Sequence, residues 1–424
     1  MKWTINVTKL PQKRSGLNFS FDSPKNETIE ASQSCSITFS GWVVIDGTEN
    51  ARIVFDYDPN TKHELNVDRP DVIQKLGAKT LKCGFSKPVT VGRNFRVGIC
   101  INEDIDWLAL FKFEPVGVLE GRNGYLFLDY DSNKSLLQYK GTNRIDNTNI
   151  KLWADYFNKI NKIKESLNFK HVFLLAPSKE YVYPDYYPAW RQGVTPVDQL
   201  LTHFSEENNI IFPLEALIEQ RNYSYPKTDT HWTDYGAGIV AQLVCEKLGA
   251  QFNDPKFKYA FINKSGDLGR KFMPQKSEAM LRADFSLADK YIIFNNHINN
   301  RGWIRIFFNP DAIEKQTCVV FGDSFSVNFV NFLITSFHRV VHVFSGADID
   351  SSILNYENPA YVVTEITTRF LIKAPFSDYS IKYEYARKEK SLSTSERMRI
   401  SENMKKYING ELSFYAELTL SSNL

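Results

Sequence analysis

The chain has 424 residues, too many for one ordinary core, so at least two domains are expected. Its 43% hydrophobic and 24% charged residues fit a globular protein, and a formal net charge of +2 gives no basic excess of the kind that marks nucleic-acid partners or anionic membrane surfaces. The five cysteines (Cys35, Cys83, Cys100, Cys245, Cys318) are widely spaced and form no Cys-x-x-Cys pair, which argues against a disulfide framework and a zinc site.

In chain order, Met1–Lys9 lacks the apolar core of a signal peptide, and no window approaches the length of a spanning helix, so the chain reads as cytoplasmic with no transmembrane segment. Residues 1 to about 115 read as all-β. Cys35–Ile45, Ala51–Tyr57 and Asn94–Ile101 are strand-like runs, punctuated by turns at Asp46-Gly47, Asp58-Pro59-Asn60 and Gly92-Arg93, the pattern of a small sandwich. Trp42 and Trp107 are read as core residues, with sugar stacking as the other possibility.

From about 116 the pattern changes to alternating strands and helices. His171–Ala176 is a continuous apolar run suited to a sheet buried on both faces, and Ile150–Leu167 carries helical spacing at Leu152, Trp153, Tyr156, Phe157, Ile160 and Ile163. Asp198–Phe204, Leu214–Gln220 and Gly236–Leu248 are further helices. Residues 255–312 read as a β-rich insertion. Cys318–Phe321 ends in Gly322-Asp323-Ser324, and the apolar spacing of Phe325–Phe337 predicts a helix, so Ser324 is placed on a strand-to-helix turn. Val340–Phe344 and Tyr361–Thr364 are two more strands. Strands separated by helices predict a doubly wound parallel α/β sheet, with ligands at the carboxyl ends of its strands. Residues 376–424 form an extension in which Lys388–Tyr407 is helical and Leu412–Leu420 is a strand.

Two motifs carry chemistry. A serine on a tight turn needs a base to become a nucleophile, and the base needs a carboxylate to fix its tautomer and stabilise its cation. Asp229-Thr230-His231 offers both groups one residue apart, and Asp323 is expected to brace the turn. His338 and His342, four apart, lack a third ligand and are read as surface or sheet-edge histidines, so no metal is expected.

Together, Gly322-Asp323-Ser324-Phe325-Ser326 and Asp229-Thr230-His231-Trp232-Thr233 resemble the signature of SGNH-hydrolase-like O-acetyltransferases of the alginate O-acetylation (AlgX/AlgJ-like) type. Gly121–Leu128, Ala176–Lys179, Val182–Pro184, Gly266–Leu268 and Val363–Glu365 with Arg369 are similar to further blocks, so the resemblance covers about 116–375. It implies an SGNH-like catalytic domain with Ser324, His231 and Asp229 as catalytic residues. Lys179, Trp232, Asn328 and Arg369 are candidate substrate contacts, and the Ser324 N–H is the expected oxyanion donor. The implied activity is O-acetylation of a bacterial surface glycan or its precursor through an acyl-serine. A carbohydrate esterase with the same triad, and a non-catalytic glycan-binding or scaffolding protein, remain open. Expected partners are a glycan or sugar-linked acceptor and an acyl donor. No tightly bound cofactor is expected, and acetyl-CoA is the leading donor, with Lys179 and Lys227 as possible phosphate contacts. The 1–115 sandwich is a candidate carbohydrate-binding module.

Overall fold

The computed structural model describes residues 2–420 apart from 32–34, 46–49, 77–79 and 208. The Asp46-Gly47 turn lies outside the described residues. Two compact units emerge: one joins Met1–Val118 with Ser265–Ser277, the other joins Leu119–Lys264 with Glu278–Leu424. No helix among the described residues is long and apolar enough to cross a membrane, and the five cysteines are free thiols.

The first unit has a six-stranded and a four-stranded sheet, every pairing antiparallel. Alternation along Leu17–Ser23 and Ser36–Ile45 sends Leu17, Phe19, Phe21, Phe39 and Val43 inward. Phe39 sits at the centre, with the rings of Phe21, Phe55, Phe85, Phe95 and Phe111 all 5.0–5.7 Å away. The core tryptophan is Trp3, fully buried, whereas Trp42 and Trp107 are only half-buried, which corrects the sequence expectation for both. Their strands are amphipathic, and both rings lie off the Phe39 cluster; Trp107 stacks under Arg96. Asp58-Pro59-Asn60 is not a turn: the chain reverses at Asp56-Tyr57, and Pro59 opens a strand on the sheet edge, where a missing N–H costs no ladder bond.

The second unit is built on a seven-stranded sheet: β1 (Lys170–Ala176), β2 (Ile210–Ile211), β3 (Ile292–Asn295), β4 (Ile304–Phe308), β5 (Glu314–Gly322), β6 (Phe337–Phe344) and β7 (Tyr361–Thr367). Its order is β2-β1-β7-β5-β6-β4-β3. Pairings from β2 through β6 are parallel, while β4 and β3 add antiparallel at the other edge, so the sheet is mixed. β1 and β7 are almost wholly buried and β5 is buried from Cys318 onward, where the apolar stretches Val172–Ala176, Cys318–Phe321 and Tyr361–Val363 lie side by side. The predicted insertion 255–312 therefore divides. Tyr259–Lys264 pairs with Glu278–Ala283, the segment between them belongs to the first unit, and β3 and β4 extend the main sheet.

Helix α1 (Asn147–Leu167) is capped by Asp146, whose carboxylate accepts from Asn149 N, and buries Trp153, Tyr156, Phe157 and Ile160 on one stripe. Helix α2 (Asp234–Leu248) is capped by the Thr233 hydroxyl and ends on Gly249 in the left-handed conformation. The long helix expected over Phe325–Phe337 is absent. A single turn at Ser326–Phe329 runs into a 3-10 turn at Val330–Phe332, and β6 begins at Phe337. Nearly all its apolar residues are buried, so the run reflects immersion rather than one helical stripe. The C-terminal strand is also corrected. Ser413–Thr419 is a helix, with Leu412, Tyr415, Ala416 and Thr419 at the spacing of one face and the last three buried. It follows a separate helix α3 (Thr394–Lys405), capped by a Ser393/Glu396 box.

Candidate active site

β5 lies between β7 and β6 and delivers Gly322 to the carboxyl end of the sheet. The turn that follows is pinned from below. Asp323 N donates to Glu365 Oε2 at 2.8 Å; Asp323 Oδ1 accepts from Phe325 N at 2.9 Å; Asp323 Oδ2 accepts from Thr367 N at 2.9 Å and Thr367 Oγ1 at 2.6 Å. Asp323 thus braces the turn, as its position suggests. Burial, with Asp323 beside it, pushes the Glu365 carboxyl well above the usual range. Gly322 has no room for a side chain: a Cβ there would fall 2.4 Å from Ser326 Cβ and 2.8 Å from Glu365 Oε2.

The Asp229–His231 loop arrives from the other side. Ser324 Oγ lies 2.8 Å from His231 Nε2, and His231 Nδ1 lies 2.8 Å from Asp229 Oδ1. The same carboxylate oxygen accepts the His231 backbone N–H at 3.0 Å. The neighbouring Asp229 and His231 and the distant Ser324 therefore form one hydrogen-bonded line from hydroxyl to imidazole to carboxylate, the arrangement that moves a proton off a serine. Among the described residues the Ser324 N–H has no partner within the protein, which leaves it free to meet an oxyanion.

The loop is held by groups that the sequence reading assigned elsewhere. Lys179, 2% exposed, donates through Nζ to the carbonyls of Pro226 (3.0 Å), Lys227 (3.0 Å) and Asp229 (2.6 Å). It braces the loop from beneath and is not a substrate or phosphate contact. Lys227 is exposed, lies over the Tyr125 ring and does not line the cleft, while its N–H donates to Glu278. Trp232 ties the two motifs together, donating from Nε1 to Phe325 O at 3.1 Å and meeting the Phe325 ring edge-on at 4.8 Å.

Ser324 and His231 open into a cleft of about 990 Å³. Trp232 and Asn328 line it, and the Asn328 amide donates one of its two N–H groups to Asp234 Oδ1 at 2.8 Å. Arg369 does not reach the cleft. It lies over Phe370 beside a small pocket shared with Ser178, Lys179 and Glu180, and among the described residues its buried Nε has no hydrogen-bond partner. Sequence reading missed most of the cleft wall: Arg282, Asn295, His297, Asn299, Asn300 and Trp303, with Arg399 and Asn403 from α3. Among the lining residues Asp229 is the one carboxylate. His342 is also corrected: it is fully buried on β6, its Nε2 against Ser326 Oγ and its Nδ1 against Arg305, which occupies both ring nitrogens.

Residues 118–356 match the family described as SGNH hydrolase-like domain, acetyltransferase AlgX, which is more than half of the chain. The chain belongs to this family. It is similar to a probable alginate O-acetylase AlgJ of Pseudomonas putida, 29% identical over 168 residues, or 37% of this chain and 40% of that relative, so the match spans well under half of the relative's length. Among solved structures, the O-acetyltransferase domain of P. putida AlgJ is 15% identical with a TM-score of 0.41, covering 68% of this chain and 99% of that one. PatB1 of Bacillus cereus is 13% identical with a TM-score of 0.42, covering 60% and 96%.

Proposed function

We propose that this member of the AlgX family is an O-acetyltransferase acting on hydroxyls of a bacterial glycan or its precursor. The observation that carries this reading is the Ser324–His231–Asp229 line, with 2.8 Å at each link, at the floor of an amide- and aromatic-lined cleft. Ser324 Oγ attacks the acetyl carbonyl while its proton passes to His231 Nε2; Asp229 stabilises the imidazolium and the Ser324 N–H receives the oxyanion. Collapse expels the donor's leaving group, which takes the proton from His231. A sugar hydroxyl then gives its proton to His231 and attacks the acyl-Ser324 carbonyl. The second collapse releases the acetylated sugar, and Ser324 regains its proton.

Asparagine amides and the indole faces of Trp232 and Trp303 suit sugar hydroxyls and pyranose faces. The donor is proposed to be soluble, with acetyl-CoA first. Its phosphates would fall to Arg282 or Arg399, because the Lys179 ammonium is consumed by backbone. The N-terminal sandwich is proposed to hold glycan through the half-exposed Trp42 and Trp107.

One observation favours esterase activity as a second reading. The His231 side chain is 33% exposed, so water reaches the acyl-enzyme when no acceptor fills the cleft. Wild type and Ser324→Ala, given a chromogenic acetyl ester with and without oligosaccharides, test both readings. The transferase forms acetyl-sugar at the expense of free acetate, whereas an esterase yields acetate regardless. Equal turnover by the two proteins overturns the assignment of Ser324.

A further inference from the structure

The Ser324 N–H belongs to the same peptide unit as the Asp323 C=O. In a planar trans peptide the two point in opposite directions, so whatever grips the carbonyl aims the N–H. The Asp323 carbonyl accepts from Ser326 N at 3.1 Å and from Ser326 Oγ at 2.6 Å.

Ser326 is fully buried and spends its hydroxyl proton on that carbonyl. Its contact with His342 Nε2 at 2.8 Å must therefore have the imidazole N–H donating to Ser326 Oγ. His342 Nδ1 is then the acceptor, and it faces Arg305 Nη2 at 3.3 Å. The second hydrogen of that nitrogen goes to the Val327 carbonyl at 2.7 Å. Donation thus runs one way, from the guanidinium through the imidazole and hydroxyl to the Asp323 carbonyl. Burial, reinforced by Arg305, holds His342 well below the ordinary imidazole range, so it stays neutral. Burial pulls Arg305 down only to about 10, so it keeps its charge at neutral pH.

We propose that Arg305, His342 and Ser326 are positioning residues that aim and polarise the Ser324 N–H as an oxyanion donor. Donors on a peptide carbonyl deepen the dipole of the whole unit, and each bond in a one-way chain strengthens the next, most where water is excluded. The cation at the far end sits beyond three hydrogen bonds, so it adds field without competing for the oxyanion. Gly322 completes the device, since any side chain there would strike Ser326.

This inference rests on reading Ser324 as the nucleophile, and its test separates the two. With a chromogenic acetyl ester, Ser326→Ala is expected to lower kcat about 10- to 100-fold, a weakening rather than loss of a donor worth about 10²–10³. KM and the pH midpoint of kcat/KM should stay at wild-type values, because neither the cleft nor His231 is altered. His342→Gln, which keeps an N–H at the Nε2 position, should recover most of the activity that His342→Leu loses. A simple packing role would lower thermal stability without this split or rescue. Wild-type kcat in Ser326→Ala, or equal losses in His342→Gln and His342→Leu, overturns the proposal. If Ser324→Ala abolishes turnover while Ser326→Ala does not lower it, the chain alone is refuted. If Ser324→Ala retains turnover, the nucleophile assignment itself falls.

Discussion

Asp229→Asn separates two jobs that a triad carboxylate performs: fixing the tautomer of the imidazole and stabilising its cation. Asp229 Oδ1 accepts both the His231 backbone N–H at 3.0 Å and the ring Nδ1 at 2.8 Å. An asparagine at 229 is therefore held with its carbonyl, not its NH₂, towards both donors, because turning it would set two donors against the backbone N–H. The Nδ1–H tautomer should survive, and the cost is the lost charge. Two unit charges about 4 Å apart interact by about 4 kcal/mol at an effective dielectric of 20, and partial exposure of both side chains screens this somewhat. With about 1.4 kcal/mol per tenfold in rate, kcat should fall on the order of 10²- to 10³-fold, less than the roughly 10⁴-fold expected when the wrong tautomer is imposed. Steady-state hydrolysis of an acetyl ester, with Ser324→Ala as the floor, measures it. A variant within threefold of wild type would show that Asp229 is not the triad acid. A variant at the floor would refute the argument that the backbone N–H orients the amide.

Gly322→Ala should lower kcat by about 10²-fold, since a displacement of about 1 Å at the nucleophile has that scale; turnover near wild type in a folded protein would mean Ser326 and Glu365 can give way. Replacing Lys179 with Met leaves three loop carbonyls without their donor and should cost about 3 kcal/mol of stability, read as a lower urea midpoint at unchanged slope, with a fall in kcat as the Asp229 loop slackens. Burial, with Lys164 adding to it, lowers His171 to about 3. The unfolded chain therefore takes up a proton below about pH 6.5 that the folded chain refuses, and stability present above that pH is lost as pH falls. The stability advantage of wild type over His171→Gln should shrink by about 3 kcal/mol between pH 6.5 and 4; a constant difference across that range would contradict it.

The Ser324–His231–Asp229 line was legible because its parts are local: Asp229-Thr230-His231 and Gly322-Asp323-Ser324 each sit on a few consecutive residues, and Cys318–Phe321 just before the second is an unbroken apolar run. Alternation exposed the N-terminal sandwich for the same reason. Less legible were features set by burial on every side. Phe325–Phe337 has helical spacing only because nearly every apolar residue in it is immersed, and His342 looks like a sheet-edge histidine until its strand is seen between two neighbours. Lys179 read as a cation near the substrate because nothing in the sequence shows three carbonyls converging on it from a loop about 50 residues downstream. The Leu412–Leu420 segment could have been assigned correctly, since Leu412, Tyr415, Ala416 and Thr419 already mark a helical face.

The cleft brings together stretches of unequal standing. Ser324, His231 and Asp229 fall within the 118–356 family match, whereas Arg399 and Asn403 reach the same cleft from α3, beyond that match. Reaction and groove shape are thus written on different lengths of chain. Substitutions in the tail can reshape what the groove admits without disturbing the proton path. A chimera exchanging only the residues after 380 would keep the Ser324–His231–Asp229 line of one parent and take part of the groove wall from the other, and a chain shortened there would lose one side of the groove while keeping that line.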